Sequence, residues 1–202
     1  MATVTELELD PTPPPYPVKR FTVEEYHRMI DAGVFADDDR FELLEGWIIP
    51  KMSRNPPHDA LLMLIQRVLF RALPPGWDTR NQSALTTKES EPEPDLVVVR
   101  GDGRDYFNRH PGPADIALAI EVSESSLDRD RTLKSRIYAR AGVPIYWIVI
   151  VAERRVEVHG DPTGPTKAPS YRSKTVVGPD RELSLVLDGR EVARIAAKDI
   201  LP

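Results

Sequence analysis

Apolar residues fall along this chain in two patterns, and the two patterns predict different elements. Leu61, Leu62, Ile65, Val68, Leu69 and Ala72 recur at steps of three and four, which predicts an amphipathic helix. Asn55-Pro56 opens it and Pro74-Pro75-Gly76 ends it. An earlier helix starts where Thr22 and Glu25 have capping-box spacing and Phe21 and Tyr26 have hydrophobic-staple spacing, and Gly33 is its stop. A third runs from Ser125 or Ser126 to about Arg140 and is closed by Gly142 and Pro144.

The second pattern is the short continuous apolar run. Leu96–Val99, Ile116–Val122 and Ile145–Val151 read as strands buried on both faces. Phe41–Met52 reads as two short strands around the turn pair Glu45-Gly46, and Trp77–Thr87 as one strand. Arg155–His159, Tyr171–Val177 and Glu182–Leu187 complete the sheet region before a short C-terminal segment. Strand, strand, helix, strand in the middle predicts an α/β fold, with the third helix as a right-handed crossover between parallel strands. Residues 1–20 are expected to form a flexible proline-rich tail, and residues 21–202 one domain.

Composition narrows the chemistry. Cysteine is absent from the 202 residues, which excludes disulfides, thiol catalysis and cysteine-based zinc sites, and suits a cytoplasmic location. Met1–Asp10 is acidic and lacks a signal-peptide pattern, and the longest apolar stretch, Ile145–Ala152, is too short to span a membrane. A net charge of −5 counts against coating nucleic acid by charge alone. It leaves room for a local basic surface, for which Arg100, Arg104, Arg109, Arg129, Arg131, Arg136 and Arg140 are candidates. The four histidines have no zinc spacing, and there is no P-loop, dinucleotide-binding fingerprint or nucleophile elbow.

The informative polar residues are those set against apolar runs. Asp95 stands directly before one strand and Glu121 lies inside another. Adjacent strands can bring both carboxylates together, where a divalent cation offsets their repulsion and activates a water at a phosphodiester. The alternative is a strand-capping Asp and a Glu paired with an Arg. Asp130, Lys134 and Tyr138 share one helix face. Lys134 there either assists at a phosphate or forms an ordinary surface ion pair with Asp130. His58 can bond a carboxylate or the attacking water, or simply cap its helix. Trp147 reads as core.

Several segments resemble the Uma2 family (DUF820) of the PD-(D/E)xK nuclease superfamily. They are Phe41-Glu42-Leu43-Leu44-Glu45-Gly46, His58, Glu93-Pro94-Asp95-Leu96-Val97-Val98-Val99, Ile120-Glu121-Val122-Ser123-Glu124-Ser125-Ser126-Leu127, Asp130-Arg131, Lys134, Tyr138-Ala139-Arg140-Ala141-Gly142-Val143-Pro144, Tyr146-Trp147-Ile148-Val149 and Val156-Glu157-Val158. The resemblance covers about Phe21 to Leu187. It implies a restriction-endonuclease-like mixed sheet flanked by helices. It also implies an endonuclease that hydrolyses DNA with Mg2+ or Mn2+ held by Asp95 and Glu121. Lys134, Glu42 and His58 are implied in the same pocket, with Glu45 as the alternative to Glu42. Ser123 stands where the wider superfamily has its lysine, and Lys134 is the local candidate to replace it. Two other functions stay open: a catalytically weak relative that binds nucleic acid or a protein partner, and an enzyme acting on another phosphoester or small substrate with the same carboxylates. A homodimer is expected by analogy with nucleases that cut both strands.

Overall fold

The structure, a computed structural model, describes residues 16–36, 39–51 and 55–202. Most of the proline-rich segment therefore lies outside the described residues.

Six strands form one mixed sheet in the order β3-β4-β5-β6-β7-β8: β3 Trp77–Asn81, β4 Leu96–Arg100, β5 Ile116–Ser123, β6 Ile145–Ile150, β7 Arg155–Pro162 and β8 Tyr171–Val177. Only β5 and β6 are parallel. Their crossover is the predicted third helix, so the α/β reading holds.

The continuous apolar runs are explained by what covers the sheet. Leu96, Val98, Leu118, Ile120, Trp147 and Val149 pack on one side with α2 (Pro56–Ala72). Val97, Val99, Ala119, Tyr146 and Ile148 pack on the other with Ile137 and Tyr138 of the crossover. With both faces covered, strand alternation places apolar residues at every position.

Local signals set the helix boundaries. In α1 (Val23–Asp31), Thr22 Oγ1 accepts from the Glu25 N–H and the Glu25 carboxylate accepts from the Thr22 N–H. Asn55 caps α2 by accepting from the His58 N–H at 3.1 Å. β1 (Phe41–Leu44) and β2 (Trp47–Pro50) form the expected hairpin.

Four expectations need correction. The predicted strand Trp77–Thr87 ends at Asn81, because Gln82 takes a positive φ of 45° and its N–H bonds Asp95 O. The crossover is not one regular helix: α3 (Leu127–Arg129) gives way to a π segment, Asp130–Lys134, and then to α4 (Ser135–Ala141). Ser126 precedes α3 without a side-chain capping bond, and its hydroxyl donates to Asp130 Oδ2 at 2.5 Å instead. The C-terminal segment contains a further strand, β10 (Arg190–Ala196), which pairs with β9 (Glu182–Leu187) in a separate two-stranded sheet.

Candidate functional site

The register of the sheet brings Asp95 and Glu121 together. Leu96 lies opposite Ile120, and one step further along this antiparallel pair sets Asp95 opposite Glu121. Asp95 Oδ2 accepts the N–H of Val122 at 2.8 Å, which ties the start of β4 to the end of β5. Glu121 has the parity of Ala119 and therefore faces the crossover rather than α2.

The π segment supplies the cation. A π turn carries one residue more than an α turn, and such turns often occur at functional sites. Both ends of this one point inward, with Asp130 and Lys134 buried. Lys134 is only 4% exposed. Its Nζ donates to Glu42 Oε1 at 2.5 Å and to Glu121 Oε1 at 3.1 Å. Tyr138 on α4 donates to the same Glu121 oxygen at 2.7 Å. Glu42, on β1, also accepts the Glu93 N–H at 2.6 Å. His58 comes from the first turn of α2, with Nε2 at 3.1 Å from Asp95 Oδ2.

Asp95, Glu121, Lys134, Glu42 and His58 line a cavity of about 100 Å³, whose wall also includes Lys51, Asn55, Glu93, Glu124, Arg129 and Asp130, while Tyr138 lies behind Glu121. All five residues singled out from the sequence, Asp95, Glu121, Lys134, Glu42 and His58, meet there. Glu45 does not: it pairs with Arg136 and Arg140 at 2.7 and 2.8 Å.

The arginine surface expected from the sequence does not form. Arg100, Arg104, Arg109, Arg131, Arg136 and Arg140 each meet a carboxylate: Asp188, Asp102, Asp115, Glu157, Glu45, and for Arg140 both Glu45 and Glu89. Arg129 alone of the seven lines the cavity and has no ion pair among the described residues.

The charge balance shows in the protonation equilibria. Burial drives the Glu121 pKa upward, and nearby Asp95, Asp130 and Glu42 add to the rise, while Lys134 only partly opposes it. Burial also disfavours the Lys134 ammonium, but Glu121 and Glu42 reverse that, so its pKa lies above the ordinary lysine value. For Asp95, burial raises the pKa but the His58 bond and charge and the Val122 N–H outweigh it, and the carboxyl is held below its usual range. The hydrogen bond that His58 donates to Asp95 in turn raises the pKa of His58 against its own burial.

Sequence reasoning assigned no site role to Lys51, Asn55, Glu93 or Glu124. Lys51 pairs with Glu93 at 2.9 Å, and Asn55 Nδ2 donates to Glu124. These contacts join the residue after β2, the N-cap of α2 and two loops, and no local spacing reports them. Ser123, where the resemblance leads to the expectation of a lysine, is buried, with 1% exposure. Among the described residues no group of three or more acids and histidines is arranged to hold a metal ion, and no helix is long and apolar enough to cross a membrane.

Comparison with known proteins follows the same lines. The crystal structure of a "putative nuclease belonging to DUF820" from Anabaena variabilis superposes with a TM-score of 0.64. The match covers 89% of this chain and 97% of that one at 16% identity, so it bears on the fold alone. No curated protein matches the chain. The Uma2 family model, described as "Putative restriction endonuclease", matches residues 23–196. With the match spanning most of its length and the fold shared with that structure, this chain belongs to the Uma2 family.

Proposed function

We propose that the protein is a metal-dependent endonuclease that hydrolyses DNA phosphodiester bonds at this cavity, with Asp95 and Glu121 holding Mg2+ or Mn2+. The observation that carries this reading is the meeting of Asp95 and Glu121, from neighbouring strands, beside one buried lysine.

The donor set fits the ion. Mg2+ takes one or two carboxylates and fills its remaining positions with waters and phosphate oxygens, so a two-carboxylate site suffices. Asp95 Oδ1 and Glu121 Oε2 have no hydrogen-bond partner among the described residues. The raised pKa of Glu121 reflects burial and negative neighbours, a condition a cation relieves. When bound, such an ion polarises phosphoryl oxygens and acidifies a water.

The chain's own groups do the rest. Lys134 stays protonated between two carboxylates, so it serves as a donor to a phosphate oxygen and not as a base. Glu42 holds the ammonium in place, and His58 orients Asp95. Substrate is held through backbone phosphates, with Arg129 at the cavity wall as an available partner. A homodimer would set two such cavities against the two strands, and light scattering of the purified protein tests for it.

Two observations favour a second reading, a nuclease-fold protein that binds nucleic acid or a protein partner without cutting. Lys134 is already engaged by Glu42 and Glu121, and Ser123 stands in the superfamily lysine's place. Incubation of supercoiled plasmid at low salt separates the two, since charge-driven binding fades as salt rises. Nicking with Mg2+ or Mn2+ by the wild type, lost in Asp95→Ala, supports the endonuclease. DNA binding that survives Asp95→Ala, with no cleavage by the wild type, supports the second reading.

A further inference from the structure

Tyr138 has no task in the reading above, yet it touches the residue at its centre. Its side chain is completely buried. The ring lies edge-on to Tyr146 with centroids 4.9 Å apart, so its position is set by aromatic packing. Packing alone would be served equally by phenylalanine. A buried hydroxyl is unfavourable unless it is bonded, and this one donates to Glu121 Oε1 at 2.7 Å.

Lys134 Nζ donates to the same oxygen. The terminal torsion of a glutamate is broad and roughly two-fold, so an unrestrained carboxylate samples many orientations. Two donors converging on Oε1 remove that freedom. They leave Oε2 without a described donor, on a side chain that lines the cavity. The two donors differ in kind. The ammonium is a rotatable point charge that also serves Glu42. The phenol O–H projects from a ring fixed by its neighbours, so the directional restraint comes from Tyr138.

We propose that Tyr138 is a positioning residue: its hydroxyl holds Glu121 Oε1 so that Oε2 is presented to the divalent cation. This rests on the metal reading above, and the experiment distinguishes failure of the one from failure of the other. Wild type, Tyr138→Phe and Tyr171→Phe are titrated with Mn2+ by calorimetry. Tyr171 is the control because its hydroxyl donates to Val143 O at 2.9 Å in the same aromatic cluster, away from the carboxylates. Loss of an outer partner of a metal ligand commonly weakens binding about 10–100-fold. The expected result is an Mn2+ Kd raised about tenfold or more in Tyr138→Phe, with Tyr171→Phe close to wild type. Wild-type affinity in Tyr138→Phe overturns the proposal, as does equal weakening in both variants, which would mark a packing effect. A wild type that takes up no Mn2+ overturns the metal reading itself and this inference with it. Should Tyr138→Phe fail to fold, wild type with 13C-labelled tyrosine is titrated with Mg2+. The Tyr138 Cζ resonance is expected to move with occupancy, and a resonance that stays fixed overturns the proposal.

Discussion

Glu121 and Glu157 occupy one row of the sheet, on either side of Ile148, and both are buried. Their surroundings are opposite. Glu157 is bonded by Arg131 through two nitrogens and by Lys174 at 2.8 Å, with His159 at 3.4 Å. Burial alone would raise its pKa, but Arg131 and Lys174 bring it down to about 2. Glu121 shares a single lysine with Glu42, has other acids near it, and its pKa is raised. The same helical segment serves both, with Arg131 reaching one glutamate and Lys134 the other. A carboxylate with more than enough cations around it is a fastener. One with too few, beside a cavity, remains short of positive charge.

The largest effect is expected from removing the shared lysine. Lys134→Met leaves Glu42 and Glu121 buried without their ammonium. The expected cost is about 3–5 kcal/mol in chemical denaturation, with plasmid nicking reduced about 10²-fold or more through loss of the phosphate donor. A variant as stable as wild type would show that the site already admits enough water to need no cation. Arg131→Met sharpens the contrast from the other side. Glu157 keeps Lys174, so a smaller loss of stability than for Lys134→Met is expected, with Mn2+ affinity unchanged.

Glu121→Gln probes the shortage of positive charge directly. A carboxyl whose folded pKa is raised contributes stability at low pH that is lost as pH rises through the folded value. Metal-free Glu121→Gln is therefore expected to melt at or above the wild-type temperature under mildly alkaline conditions, while losing Mn2+ binding. A clear drop in melting temperature would mean that Lys134 neutralises Glu121 more fully than this account allows. The smallest effect concerns Glu157, with the opposite sign. Its depressed folded pKa gives stability that is complete above about 4.5 and is lost as pH falls toward about 2. Glu157→Gln should flatten that acid limb in a pH series of thermal melts, and an unchanged limb would assign it to other groups.

The chain itself made part of this legible. Asp95 and Glu121 stood out because an ionisable group against a buried strand is uncommon, and Lys134 because i, i+4 spacing put it on a face with Asp130 and Tyr138. What escaped depended on distant partners or on irregular backbone. Arg136 finds Glu45 across ninety-one positions, so a basic surface and a set of ion pairs look alike in sequence. The π turn has no compositional mark in Asp-Arg-Thr-Leu-Lys. β10 buries Ile195 among exposed Arg190, Glu191, Val192 and Arg194, too little apolar alternation to announce a strand. The Asn55 cap, by contrast, was read locally, because the bond it makes spans three residues.

The central claim, a cation between Asp95 and Glu121, is tested most directly by anomalous diffraction from crystals soaked in Mn2+. The account predicts a peak in the cavity with oxygens of both carboxylates at about 2.1 Å, the range known for Mg2+. A cavity without a peak, or a peak bound by neither residue, would contradict it.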